Sequence, residues 1–95
     1  MKTAQRKQLL KMAHHLTPVV FIGQQGLTRS VISKTEEGLL SHELIKVRFT
    51  DYKDEKSSLA DALATATDSM LVDIIGHIAI LYRPHPDMEH RKINI

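Results

Sequence analysis

The chain contains no cysteine and no tryptophan. The missing cysteine rules out a disulfide framework and a thiolate metal site, and it leads us to expect a reducing, cytoplasmic setting. Long hydrophobic runs are missing too. The longest are four or five residues, such as Val19–Ile22 and Ile78–Tyr82, whereas a membrane-spanning helix needs about twenty. Met1 to Lys11 is charged and amphipathic and lacks the apolar core of a signal peptide. Aromatic residues are few: Phe21, Phe49, Tyr52 and Tyr82. The hydrophobic pattern places both phenylalanines in the core. That argues against a sheet that stacks splayed bases on exposed rings.

Enzyme signatures are absent as well. No Gly-x-Ser-x-Gly elbow, nucleotide-triphosphate loop or dinucleotide fingerprint occurs. The histidines, His14, His15, His42, His77, His85 and His90, include no i, i+4 pair around a glutamate, as a helical zinc site would require. We therefore expect no catalytic residue, cofactor, metal or small-molecule substrate. The 95 residues are the length of one domain, with a core over about 3–84 and a polar tail over 85–95.

Charge is present but unevenly placed. The net charge is only +2, yet the first 35 residues hold six basic side chains (Lys2, Arg6, Lys7, Lys11, Arg29, Lys34) and no acid. Acids gather between Thr50 and Ile75, at Asp51, Asp54, Glu55, Asp61, Asp68 and Asp73. A surface polarised in this way suits a polyanionic partner, although charge alone leaves a merely solvated surface equally open.

Periodicity predicts a helix over Thr3–Leu16, capped by Thr3, with Leu9, Met12, Ala13 and Leu16 inward and Lys7, Lys11 and His14 outward. For that stripe taken alone, a solvated face is the simpler reading. Pro18 ends the helix. Val19–Ile22 then reads as a strand buried on both faces. Thr28 caps a second helix to about Ser41, with Val31, Ile32, Thr35 and Leu39 facing the core and Gly38 permitting close packing. His42–Phe49 alternates, sending Ile45, Val47 and Phe49 one way and Leu44, Lys46 and Arg48 the other. Leu59, Ala62, Leu63 and Ala66 mark a third helix, and Met70–Ile75 and Ile78–Arg83 form a hairpin through Gly76-His77. The order αβαβαββ predicts an α+β two-layer sandwich: a mixed four-stranded sheet with three helices on one face. The other face is left wet and carries Lys46, Arg48, Asp73, His77 and Arg83.

The most suggestive local feature is Gly23-Gln24-Gln25-Gly26, between a strand and a helix N-terminus with Thr28 and Arg29 beside it. Glycines let a backbone approach a ligand closely, and free N–H groups at a helix start attract phosphate. On spacing alone a plain strand-to-helix turn is the simpler reading.

Three blocks together are more specific: Ala13-His14-His15-Leu16-Thr17-Pro18-Val19-Val20 running into Ile22–Thr28, then His42–Arg48, then Ile75–Arg83. In this order the chain resembles the CRM domain family (chloroplast RNA splicing and ribosome maturation) in its stand-alone bacterial YhbY-like form, over about Thr3 to Pro84. The resemblance implies a fold similar to the C-terminal domain of a bacterial translation initiation factor. It also implies a Gly-x-x-Gly loop, similar to that of KH domains, that contacts RNA. It further implies association with ribosomal RNA of large-subunit precursors, as an accessory factor in ribosome assembly; plant relatives act in splicing. Carried over by position, the loop is Gly23, Gln24, Gln25 and Gly26, with Lys7, Lys11 and Arg29 as the basic residues near it; Thr28 beside the loop and Lys46 and Arg48 on the basic face of the His42–Phe49 strand complete the candidate RNA-binding set. Many relatives place a lysine or arginine inside the loop. Here both middle residues are glutamine, which hydrogen-bonds phosphate or base edges without adding charge. A protein–protein adaptor on the ribosome, using the polar sheet face, is the competing reading. Salt dependence separates the two.

Overall fold

Thr28 sets the register of the middle of the chain. Its hydroxyl accepts from the Val31 N–H at 3.1 Å and starts α2 (Arg29–His42). In the computed structural model, which describes all 95 residues, α1 (Thr3–Ala13) and β1 (Val20–Ile22) precede it. After it come β2 (Leu44–Phe49), α3 (Lys56–Ala66), β3 (Met70–Ile75) and β4 (Ile78–Tyr82). The α+β class, the chain order and the mixed four-stranded sheet match the expectation. Strand order is β1-β2-β4-β3, with β1 parallel to β2 and the other two pairings antiparallel. The crossover through α3 leaves β3 pointing the same way as β2, but β4 takes the place between them.

The layering differs from the expectation in one respect. α2 and α3 share one face and bury Val20, Ile22, Leu39, Ile45, Val47, Phe49, Leu63, Ala79 and Leu81. α1 lies on the opposite face, where Leu9 and Ala13 pack with Leu44, Val72, Ile80 and Tyr82 in a second cluster. The cause is β4. Ile78–Tyr82 is apolar at every position and sits inside the sheet, so both of its faces need cover. Fully burying a side chain such as Leu9 stabilises by roughly 1.5–3 kcal/mol. With 11 residues, α1 spans only ~16 Å and covers part of the face.

Four local readings are corrected. Thr3 is the first residue of α1 rather than its cap, and Gln5 Oε1 reaches back to the Lys2 N–H at 3.3 Å. α1 stops at Ala13, leaving Met12 and Leu16 partly exposed. The buried stripe of α3 is Ala60, Leu63 and Ala64, turned about one position from the predicted one, so Ala62 and Ala66 face solvent. Above all, β1 is an edge strand buried on one face only, and Phe21 is 54% exposed. Gly38 does allow close approach: a Cβ there would stand 3.4 Å from methyl carbons of both Ile45 and Val19. Asp68 takes the left-handed conformation (φ 50°) after α3, which aspartate accommodates better than most residues.

The tail beyond β4 does not fray. Glu43, buried at the α2–β2 junction, accepts the backbone N–H groups of His85 (2.8 Å), Lys92 and Ile93 (3.0 Å). Ile93 then packs on the α1 cluster. Burial alone would raise the Glu43 pKa, but the three donors outweigh it and hold the carboxyl below its usual value.

Candidate nucleic-acid interface

Because β1 and β2 are parallel and paired, with Ile22 opposite Phe49, the loops that follow them emerge side by side. The Gly23–Gly26 turn is closed by the Gly26 N–H donating to Gly23 O at 3.0 Å, with Gly26 at φ 69°, a conformation that favours glycine. Its neighbour, the Thr50–Glu55 segment, braces it. Thr50 N–H and hydroxyl both donate to Ile22 O, and the Tyr52 hydroxyl donates to Gln24 O at 2.6 Å. The turn is thus held through its main chain, while the Gln24 and Gln25 side chains project into solvent.

The N–H groups of Gln24, Gln25, Arg29 and Ser30 donate to no backbone carbonyl. They surround the start of α2, where the helix dipole is positive. α2 has no acid in its first turn and carries exposed Arg29 there instead. For the isolated helix that placement is mildly unfavourable, and an anion at this point relieves it.

The sequence-predicted site residues fall into three groups. Gly23, Gln24, Gln25, Gly26, Thr28 and Arg29 come together at this end of the sheet. Arg48 is exposed on β2, beside Phe21 on β1. Lys7 and Lys11 are exposed on α1, a different element from the loop, and Lys46 spends one donor on Leu16 O at 2.9 Å. The basic residues of the acid-free N-terminal third are thus divided between α1 and the loop end, and Arg6 among them pairs with Asp73 at 2.8 Å.

Other basic groups at the loop end escaped the sequence reading because they sit among acids. The Gly76-His77 turn is drawn to this end by the Phe49 N–H donating to His77 O, and Lys56 Nζ reaches Gly76 O. Partial desolvation, then the charges of Lys56, Lys53 and Arg48, hold the His77 pKa below the usual histidine value. The three cations thus bear on the His77 ring, while Asp51, Asp54 and Glu55 lie in the neighbouring Thr50–Glu55 segment. Elsewhere, no three histidine, aspartate or glutamate side chains converge as a metal ion would require. No helix is long and apolar enough to cross a membrane.

The family model described as the CRS1 / YhbY (CRM) domain matches residues 1–83. The chain belongs to this family. Among its CRM relatives, an RNA-binding protein of Haemophilus influenzae is 41% identical over 95 residues, covering 98% of this chain and 93% of the relative. A Bacillus subtilis protein, named as a probable RNA-binding protein, is 36% identical over 97 residues, covering 100% and 99%. A solved solution structure from Staphylococcus aureus, described as a candidate RNA-binding protein, superposes with a TM-score of 0.80 at 30% identity and covers 99% of both chains. The names of these relatives concern RNA binding.

Proposed function

We propose that this CRM chain is a single-domain, non-catalytic RNA-binding protein that acts in the cytoplasm as an accessory factor in assembly of the large ribosomal subunit. It holds ribosomal RNA of precursor particles. One observation carries the RNA reading: a main-chain-braced Gly-x-x-Gly turn with free N–H groups at the start of α2, next to Arg29, Arg48 and Lys53. Phosphate fits such a place because unpaired N–H donors, a helix dipole and cationic side chains all favour an anion there. The names of the relatives support the same partner class. The ribosomal destination rests on the resemblance of the three sequence blocks.

The test uses Gln24→Asp with Gln25→Asp, which keeps both glycines and the turn. One like-charge pair at ~4 Å costs up to ~4 kcal/mol at an effective dielectric near 20, less where solvent screens it. Affinity for deproteinised large-subunit ribosomal RNA should fall at least about tenfold, for which ~1.4 kcal/mol suffices. Acids near a helix N-terminus are tolerated, so the melting temperature should hold. Cosedimentation of the tagged chain with large-subunit precursors tests the destination. An unchanged affinity in an intact fold removes the loop from the site.

A further inference from the structure

We infer that Phe21 is a stacking platform for an unpaired RNA base, placed one nucleotide's reach from the glycine turn. The inference rests on the RNA-binding reading above and adds to it a preference for single-stranded over paired RNA.

Strand register places Phe21 beside Arg48, Arg48 beside Ile78, and Ile78 beside Ile75. Paired positions point to the same face, so these four side chains form a row across the whole sheet, on the side that α1 occupies. α1 covers only the Ile78–Ile75 part of this row: Leu10 and His14, at its C-terminal end, line one cavity with Lys46, Ile75, Ile78 and Ile80. Phe21 (54%) lies outside that cavity, and both it and Ile75 (58%) remain largely open to solvent. Single exposed apolar residues are ordinary. What distinguishes this one is its company and its place.

Three features point to one occupant. The row is apolar except for Arg48, a planar cation that stacks as well as pairs with phosphate. It contains no acid; the acid in the neighbouring row, Asp73, is already paired with Arg6. Gly23 follows Phe21 by two residues, or about 7 Å at ~3.3 Å per residue. A strand whose phosphate sits on the turn therefore brings its adjacent base to the ring. A flat apolar surface flanked by positive charge fits a polyanion with exposed π-faces, which is single-stranded nucleic acid. Paired RNA hides those faces in its helix.

The test compares Phe21→Ala, Phe21→Leu and Phe21→Trp in filter binding to deproteinised large-subunit ribosomal RNA, competed by oligouridylate or by a fully paired duplex. Phe21→Ala should lower affinity by about five- to hundredfold, the usual range for loss of one base–aromatic stack. The salt slope should stay unchanged, because no phosphate contact is lost. Phe21→Leu should lose nearly as much, which separates stacking from simple apolar cover. Phe21→Trp should retain affinity and, in a chain with no other tryptophan, lose fluorescence on RNA binding; oligouridylate should displace the ribosomal RNA better than duplex does and quench the ring itself. Melting temperatures should match wild type, since the ring is half exposed. Wild-type affinity in Phe21→Ala or Phe21→Leu, or an unquenched Phe21→Trp that binds, overturns the stacking inference and leaves the RNA reading standing. A wild-type chain that binds none of these RNAs removes the RNA reading itself.

Discussion

The sheet has two ends that share strands but differ in chemistry. At one end Leu44 and Tyr82 lie under α1, and Glu43 gathers the tail over the junction with its carboxylate. At the other, three loops meet: Gly23–Gly26, Thr50–Glu55 and Gly76-His77. Their polar groups and cations face water. The first end uses a buried charge to close the structure on itself. The second leaves N–H groups and charges unspent on the fold. On the proposed reading, residues that stabilise and residues that recognise are segregated within 95 positions, so a change at one end should be readable without disturbing the other.

The sharpest way to break that separation is Leu9→Ala. Leu9 is fully buried in the small cluster beneath α1, and emptying its place should cost about 2–5 kcal/mol, read as a drop in chemical or thermal stability. RNA affinity, measured well below the melting temperature, should hold. A large loss of affinity in the folded variant would couple the two ends. The Gln24→Asp, Gln25→Asp pair is the mirror image, with affinity down at least about tenfold and stability kept.

Glu43→Gln comes next. It replaces charge-assisted bonds with neutral ones and should cost roughly 1–2 kcal/mol. The sign with pH follows from the lowered pKa. The carboxylate's stabilisation is complete above the ordinary value of 4.5 and is lost as pH falls through the lower folded value. The melting-temperature gap between wild type and Glu43→Gln should therefore be widest near neutrality and close in acid. A gap independent of pH would mean that the charge contributes nothing.

The smallest expected effects compare charge at the two places. Arg29→Glu with Lys53→Glu should weaken RNA binding and flatten its salt dependence by roughly 1.4–1.8 in log–log slope, if each contacts one phosphate. Arg29→Glu should also raise stability by about 0.3–1 kcal/mol, because an acid suits the first turn of a helix. Lys7→Glu with Lys11→Glu should weaken binding and flatten the slope by less, with stability within about ±0.5 kcal/mol. If the α1 pair outweighs the loop-end pair, the centre of the interface lies on α1.

Which parts were readable from sequence follows from how local each cause is. The Thr28 cap, the Gly76-His77 hairpin, the alternation of β2 and the glycine turn depend on residues within a few positions of one another, and each was legible. The position of α1 depends on which strand ends up inside the sheet, and no window of sequence states that. The same gap misled the reading of Phe21: Val19–Ile22 looks like a strand covered on both sides until β1 proves to be the sheet's edge. The grouping of Lys53 with the glycine turn is in principle derivable, since strands joined by a helical crossover commonly run parallel, and parallel neighbours end on the same side. In the sequence the surrounding acids mask its charge. Glu43 gave no signal, because its three donors come from residues about 40 to 50 positions further on.

The Tyr52 hydrogen bond to the Gln24 carbonyl carries a consequence for how such a molecule can change. A turn braced through its main chain is indifferent to what hangs from its two middle positions. Those positions behave as an exchangeable cassette, free to drift through glutamine, lysine or arginine while the frame stays put. If the turn holds RNA as proposed, partner preference and strength can be retuned there in single steps without touching the bonds that brace the turn.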